Sequence, residues 1–150
     1  MSNISIVYAS VHHNNTKKVV DYLKANLDDV ELFKSTDIEE PNLNETKYLI
    51  LASGIYFGNL HRSILNYIEK TNLENVNVIV VYTCGMHYKN FLKKVKRILE
   101  EKKANYLGDA YSKGYDTYGI LKSIGGISKN HPNDEDLNKI LTSIKSLIKQ

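Results

Sequence analysis

The sequence predicts an α/β fold in which helices cover both faces of a doubly wound parallel sheet. Apolar runs and amphipathic stretches alternate along the chain, which is the order of repeated βαβ units. Apolar runs such as Ile4 to Val7 and Val78 to Val81 are not interrupted by polar residues, which is typical of strands covered on both faces. The longer amphipathic stretches each show a single apolar stripe, so each is expected to cover one face of the sheet.

The individual elements follow from the spacing of the apolar residues. After the first apolar run, Val19, Val20 and Leu23 recur at helical spacing. At the other end, Asn133 can cap a final helix that has three acidic residues in its first turn. The predicted elements are strand 4–9, helix 15–27, strand 29–34, strand 47–53, helix 60–70, strand 76–83, helix 88–103, strand 105–112 and helix 134–149.

Two segments interrupt this alternation. Residues 35–46 are short and polar, which predicts a single turn or an irregular crossover instead of a full helix. Residues 113–131 are long and contain several glycines and tyrosines. A long ordered loop in a compact domain often has a function, so this second segment is a functional candidate.

Length and composition limit the classes of protein. A chain of 150 residues fits one domain, 1–150, and no apolar run approaches the roughly 20 residues of a membrane span. The single cysteine, Cys84, excludes an internal disulfide and a thiolate metal cluster, and we expect it to be a small buried side chain. The net charge of +3 is mild, and we expect no nucleic-acid binding and a cytoplasmic location.

Three polar loops follow predicted strands, at residues 8–16, 52–59 and 83–88. The first of these leads into a helix, whose N-terminus presents backbone N–H groups to an anion such as phosphate. An ordinary strand-to-helix loop with asparagine capping fits the first loop equally well. Loops rich in hydroxyls, glycines and aromatic residues at three strand ends are what a flat, phosphorylated ring needs.

The first two loops contain the motifs Ser-Val-His-His-Asn-Asn-Thr at 10–16 and Ser-Gly-Ile-Tyr-Phe-Gly at 53–58, and the long segment 113–131 contains Gly-Tyr-Asp-Thr-Tyr-Gly at 114–119. In combination, these three motifs resemble those of the flavodoxin family. The resemblance covers nearly the whole chain and is strongest to short flavodoxin-domain proteins, while the second motif is also similar to protoporphyrinogen dehydrogenases. It implies a flavodoxin-like five-stranded sheet of order 2-1-3-4-5, with FMN held by the loops after strands 1, 3 and 4.

The resemblance also implies roles for single residues. Hydroxyls of Ser10 and Thr16 would bind the FMN phosphate, Phe57 would stack on the flavin ring, and the Gly58 peptide would turn toward flavin N5. Either His87 or Tyr88 would cover the other face of the ring. The full set of implied cofactor residues is Ser10, His12, His13, Asn14, Asn15, Thr16, Ser53, Gly54, Tyr56, Phe57, Gly58, Thr83, Cys84, Gly85, His87 and Tyr88.

No catalytic residue or metal ligand is predicted. The adjacent His12 and His13 have no carboxylate or thiolate beside them to complete a metal site. The function that the resemblance implies is electron transfer between redox partner proteins. One alternative is an FMN-dependent oxidoreductase of the quinone reductase or protoporphyrinogen dehydrogenase type, and another is a flavodoxin-like binding module that lacks FMN.

Overall fold

Five parallel strands and four helices make up the fold in the computed structural model, which describes residues 3–11, 14–37, 39–87, 90–115 and 124–149. The strands are β1 (Ile4–Ala9), β2 (Val30–Lys34), β3 (Tyr48–Tyr56), β5 (Asn77–Cys84) and β6 (Asn105–Lys113), with a two-residue β4 (Asn59–Leu60). The helices are α1 (Asn15–Asn26), α2 (Arg62–Lys70), α3 (Lys93–Glu101) and α4 (Asp134–Ile148).

The sheet runs in the order β2-β1-β3-β5-β6, and its neighbouring strands are parallel. Counted along the chain, the five parallel strands have the predicted order 2-1-3-4-5, so the predicted fold class is confirmed. The structure adds β4, which was not predicted and which pairs antiparallel with the end of β3. This short hairpin also explains why α2 begins at Arg62 instead of residue 60, because Leu60 is paired with Ile55 in the sheet.

Two apolar layers enclose the sheet. Helices α2 and α3 pack on one face through buried residues that include Ile64 and Leu99. Helices α1 and α4 pack on the other face through residues that include Leu23 and Ile144. Successive side chains of β3 point to opposite layers, which is why an unbroken apolar run was needed in this strand.

The first residues of α4 and α3 show how far local sequence signals predict where a helix begins. At α4, the Asn133 side chain accepts the backbone N–H of Asp136 and the Asp136 carboxylate accepts the backbone N–H of Asn133, both at 2.9 Å. This reciprocal capping box confirms the predicted cap. Helix α3 begins at Lys93, later than the predicted residue 88. Asn90 has a φ of 77°, and a left-handed residue cannot continue a right-handed helix.

The register of the sheet brings the three polar loops together. Ala9 at the end of β1 lies beside Ser53 of β3, and Gly54 lies beside Thr83 of β5. The loops that follow these strands therefore leave the same edge of the sheet. Within the described residues, no helix is both long and apolar enough to cross a membrane.

Candidate functional site

A cavity of about 350 Å³ opens at this edge of the sheet, where the first, second and third loops meet. It extends from the N-terminus of α1 to the turn between β3 and β4. Its lining consists of Asn15, Thr16, Gly54, Ile55, Tyr56, Phe57, Gly58, Thr83, Cys84, Gly85 and Tyr115.

The first loop turns into α1 at Asn14, which adopts a φ of 54°. Asparagine is one of the few residues other than glycine that tolerate this left-handed conformation, which suits Asn14 to the turn. The Asn14 side chain does not cap the helix. Instead, the Ser10 hydroxyl accepts the backbone N–H of Lys17 at 3.1 Å, so Ser10 orders the loop from outside the cavity lining.

The hydroxyl of Thr16 connects the first loop to the third. Thr16 and Thr83 are both buried, and their hydroxyl oxygens are 3.0 Å apart. Either hydroxyl can be the donor in this bond, so when Thr83 donates, the Thr16 hydrogen is available to the phosphate that the resemblance assigns to it. Backbone N–H groups at the start of α1, a helix whose first turn contains no acidic residue, add to the anion-binding capacity of the loop.

The second loop ends in a tight hairpin turn formed by Phe57 and Gly58. Their φ angles are 52° and 77°, and Tyr56 pairs with Asn59 across the turn, as in a type I′ hairpin. A residue with a bulky side chain rarely adopts a positive φ, and the Phe57 side chain is also 86% exposed. Neither backbone preference nor burial accounts for a phenylalanine at this position, which marks it as a candidate contact for a ligand.

Positions 58 and 54 require glycine for different reasons. An added Cβ at Gly58 would meet nothing within 4 Å, so its φ alone requires glycine. An added Cβ at Gly54 would lie 3.0 Å from the Tyr56 hydroxyl oxygen, because the Tyr56 ring packs over the Gly54 backbone.

Ser53 faces away from the cavity and links β3 to α2, since its hydroxyl accepts the backbone N–H of His61 at 2.8 Å.

In the third loop, Cys84 and Gly85 are buried and line the cavity, but His87 lies elsewhere. Its ring stacks on Tyr111 with centroids 4.0 Å apart, and its Nε2 is 2.9 Å from the Tyr82 hydroxyl oxygen. Burial raises the pKa of Tyr82, so this hydroxyl stays protonated. His87 therefore belongs to an aromatic cluster on the α3 side of the sheet and not to the cavity.

The predicted cofactor residues thus fall into three groups. Nine line the cavity: Asn15, Thr16, Gly54, Tyr56, Phe57, Gly58, Thr83, Cys84 and Gly85. Four others, Ser10, Asn14, Ser53 and His87, are placed behind or beside it. The last three, His12, His13 and Tyr88, lie outside the described residues.

Sequence reasoning missed two lining residues, Ile55 and Tyr115. The signal for Tyr115 was present in the Gly-Tyr-Asp-Thr-Tyr-Gly motif, which contributed to the family resemblance but was not used to place the site. Ile55 is an apolar residue at the end of a strand, and nothing in the sequence distinguishes it from the core residues before it.

The described residues that line the cavity carry no charge, and the polar groups among them are hydroxyls, an amide, a thiol and backbone groups. With helix N–H groups at one end and aromatic side chains at the other, the lining fits a flat ring that carries an anionic tail. Among the described residues, no group of three or more His, Cys, Asp or Glu side chains is arranged to hold a metal ion.

Comparison with known proteins agrees with this geometry. The model of a family described as "Flavodoxin domain" matches residues 5–114. An uncharacterized protein of Methanocaldococcus jannaschii is 36% identical over 147 residues, which cover 96% of this chain and 97% of the relative.

Among solved structures, oxidised flavodoxin 2 from Bacillus cereus superimposes with a TM-score of 0.70, at 20% identity and 99% coverage of both chains. General stress protein 14 of Treponema denticola, solved in complex with FMN, gives a TM-score of 0.67 at 9% identity, with 98% of this chain and 99% of that chain covered. At such low identity these two structures support the fold alone.

Proposed function

Because this chain belongs to the flavodoxin domain family, we propose that it binds FMN noncovalently in the cavity and carries electrons between redox partner proteins. The observation that carries this proposal is the display of Phe57, which is 86% exposed at a φ of 52° on the cavity wall. When bound, FMN supplies one- and two-electron chemistry, so the protein needs no acid, base or nucleophile of its own.

The phosphate of FMN would lie at the start of α1. The backbone N–H groups of this helix and its dipole attract an anion, and Lys18 in the first turn adds positive charge, whereas the Lys17 ammonium is paired with Asp21. The Ser10 hydroxyl accepts the backbone N–H of Lys17 and so orients the helix terminus, and it would donate its own hydrogen to the phosphate.

The isoalloxazine ring would lie between the second and third loops. Phe57 would stack on one face, while the buried backbone around Gly85 would approach the edge. The described lining residues place no charged side chain against the ring, and we infer that backbone dipoles and stacking contribute to the reduction potential.

An FMN-dependent oxidoreductase is the second candidate, and exposed apolar side chains around the cavity are compatible with it. Val11, Phe57 and Met86 are 55%, 86% and 49% exposed, and they belong to the loops after β1, β3 and β5 respectively. Apolar groups on all three loops would suit an apolar small substrate as well as a protein surface.

The first experiment is to identify the cofactor. Protein purified from its expression host is denatured, and mass spectrometry of the supernatant is expected to find FMN; recovered FAD, or no flavin and no FMN uptake by the apoprotein, would contradict the proposal.

The second experiment separates the two candidate functions. An electron carrier is expected to show two well-separated one-electron potentials in a redox titration and little turnover of NAD(P)H with a quinone. Rapid quinone turnover, together with overlapping potentials, would favour the oxidoreductase.

A further inference from the structure

The chain that follows β6 forms a side of the cavity that none of the three loops supplies. The backbone N–H of Gly114 donates to the carbonyl of Cys84 at 2.9 Å. The side-chain amide of Asn15 donates to the carbonyl of Tyr115, also at 2.9 Å. Residues 114 and 115 therefore join the third loop to the first residue of α1, and both of these attachment points line the cavity.

The contact between Gly114 and Asn15 leaves no room for a side chain. An added Cβ at Gly114 would lie 2.5 Å from Nδ2 and 2.6 Å from Cγ of Asn15. Gly114 is not among the residues with a positive φ, so proximity and not backbone angle requires glycine here. The chain thus passes directly over the Asn15 amide, at the end of the cavity where α1 begins.

Residues 124–131 hold Tyr115 in place. The backbone N–H of Tyr115 donates to the carbonyl of His131 at 3.0 Å, and its hydroxyl donates to the carbonyl of Gly125 at 2.9 Å. The hydroxyl of Ser128 donates to the carbonyl of Gly85 at 2.8 Å. Residues 124–131 are therefore bonded both to the tyrosine and to the third loop.

These bonds end on residues of one cavity. Asn15, Gly85 and Tyr115 all line it, although they come from three distant parts of the chain. A molecule that fills the cavity touches groups whose positions are fixed by residues 124–131. Binding in the cavity and the docking of residues 124–131 must then favour each other, because each orders the same groups.

We propose that Tyr115 is a further cofactor-contacting residue of this protein, and that residues 124–131 are the positioning element that keeps it against the cofactor. This inference rests on the proposed FMN binding and adds a fourth attachment to the three loops. Residues 124–131 act through Tyr115 and Gly85, so their substitution is expected to change affinity without removing the site.

Fluorescence titration of the apoprotein with FMN tests the contact. Tyr115→Ala is expected to weaken FMN binding about tenfold or more, whereas Tyr115→Phe, which keeps the ring, should weaken it only about threefold. Ser128→Ala should also weaken binding about threefold. The controls are Ser112→Ala and Tyr22→Phe, which remove hydroxyls bonded outside the cavity and should leave the affinity unchanged.

Hydrogen–deuterium exchange of the wild-type protein tests the coupling without any variant. FMN is expected to slow exchange at the Tyr115 amide and across residues 124–131, and Ser128→Ala should reduce this protection while Ser112→Ala should not. A wild-type protein that binds no FMN would overturn the proposed function and the inference with it. Normal FMN binding with no protection of residues 124–131, or with Tyr115→Ala at wild-type affinity, would overturn the inference alone.

Discussion

Replacing Phe57 with asparagine is expected to stabilise the apoprotein while weakening its binding of FMN. The two central positions of a type I′ turn favour Asn-Gly, and this chain has Phe-Gly at φ angles of 52° and 77°. A left-handed backbone costs a residue with a Cβ about 1–2 kcal/mol, and asparagine is one of the residues that adopt it most readily.

Burial of the Phe57 side chain offsets little of the free-energy cost of this backbone conformation. It is 86% exposed, so only 14% of its surface is covered. At about 200 Å² for a phenylalanine and about 25 cal/mol per Å², the covered part contributes about 0.7 kcal/mol. The Phe57→Asn variant should therefore be more stable by about 0.5–1 kcal/mol, which corresponds to a rise in Tm of about 2–3 °C for a domain of this size.

The effect on binding should have the opposite sign. Loss of a stacked aromatic ring should cost about 1.4–2.8 kcal/mol of binding free energy, so that FMN binds roughly 10- to 100-fold more weakly. Phe57→Ala is the matched variant, because it removes the ring without improving the turn, and Phe57→Tyr should preserve both properties. Urea unfolding of the apoprotein and titration with FMN measure the two effects separately.

Two results would refute this reasoning. A Phe57→Asn apoprotein that is less stable than the wild type would mean that Phe57 is held by packing and is not displayed for a ligand. A stabilised variant with wild-type FMN affinity would mean that the aromatic ring is not a face of the cofactor site.

Three further predictions concern the backbone, a buried hydroxyl pair and a helix cap. Gly58→Ala should lower the free energy of unfolding by about 1–2 kcal/mol in urea melts, because a φ of 77° is strained for alanine while its Cβ has space; Gly58→Asn should lose less. Thr16→Val should cost about 1–3 kcal/mol by leaving the buried Thr83 hydroxyl without its partner, and Thr16→Ser, which keeps the hydroxyl but loses a buried methyl group, should cost only about 1 kcal/mol. The pKa of Asp136 is lower than its ordinary value of 3.8, because hydrogen bonds from the Asn133 backbone and His131 outweigh the effect of burial, which raises it. The stabilisation by this carboxylate should therefore be present at neutral pH and lost as the pH falls through the folded-state pKa, so unfolding curves of wild type and Asp136→Asn should differ at pH 7 and converge below pH 3.8.

The hairpin already requires glycine at position 58, whether or not its peptide turns on reduction. The resemblance placed the demand for glycine in a conformation reached on reduction, yet Gly58 already has a positive φ in the hairpin. Alanine at this position is therefore expected to destabilise the fold before any electron is added. The unpredicted β4 is the reason, since pairing of Tyr56 with Asn59 forces a two-residue turn.

The sequence by itself determined the layered fold and the ends of most elements. Unbroken apolar runs required strands buried on both faces, and one-sided stripes required helices that cover them, because each pattern reports the local backbone geometry. The Asn133 cap was predictable for the same reason, since its partner Asp136 is only three residues away. The position of the candidate site depended on the family resemblance, because periodicity does not give the strand order and only the carboxyl ends of neighbouring parallel strands lie side by side at one edge.

The tertiary structure alone decided which side chains meet in the cavity. Thr16 bonds Thr83, 67 residues away, and Asn15 bonds Tyr115, 100 residues away. His87 belongs to the third loop but stacks on Tyr111 of the edge strand, outside the cavity, whereas Tyr115, which no strand-end loop contains, lines it. Periodicity describes the direction of a side chain relative to its own element, whereas contacts between loops depend on how the elements pack, and no local pattern contains that information.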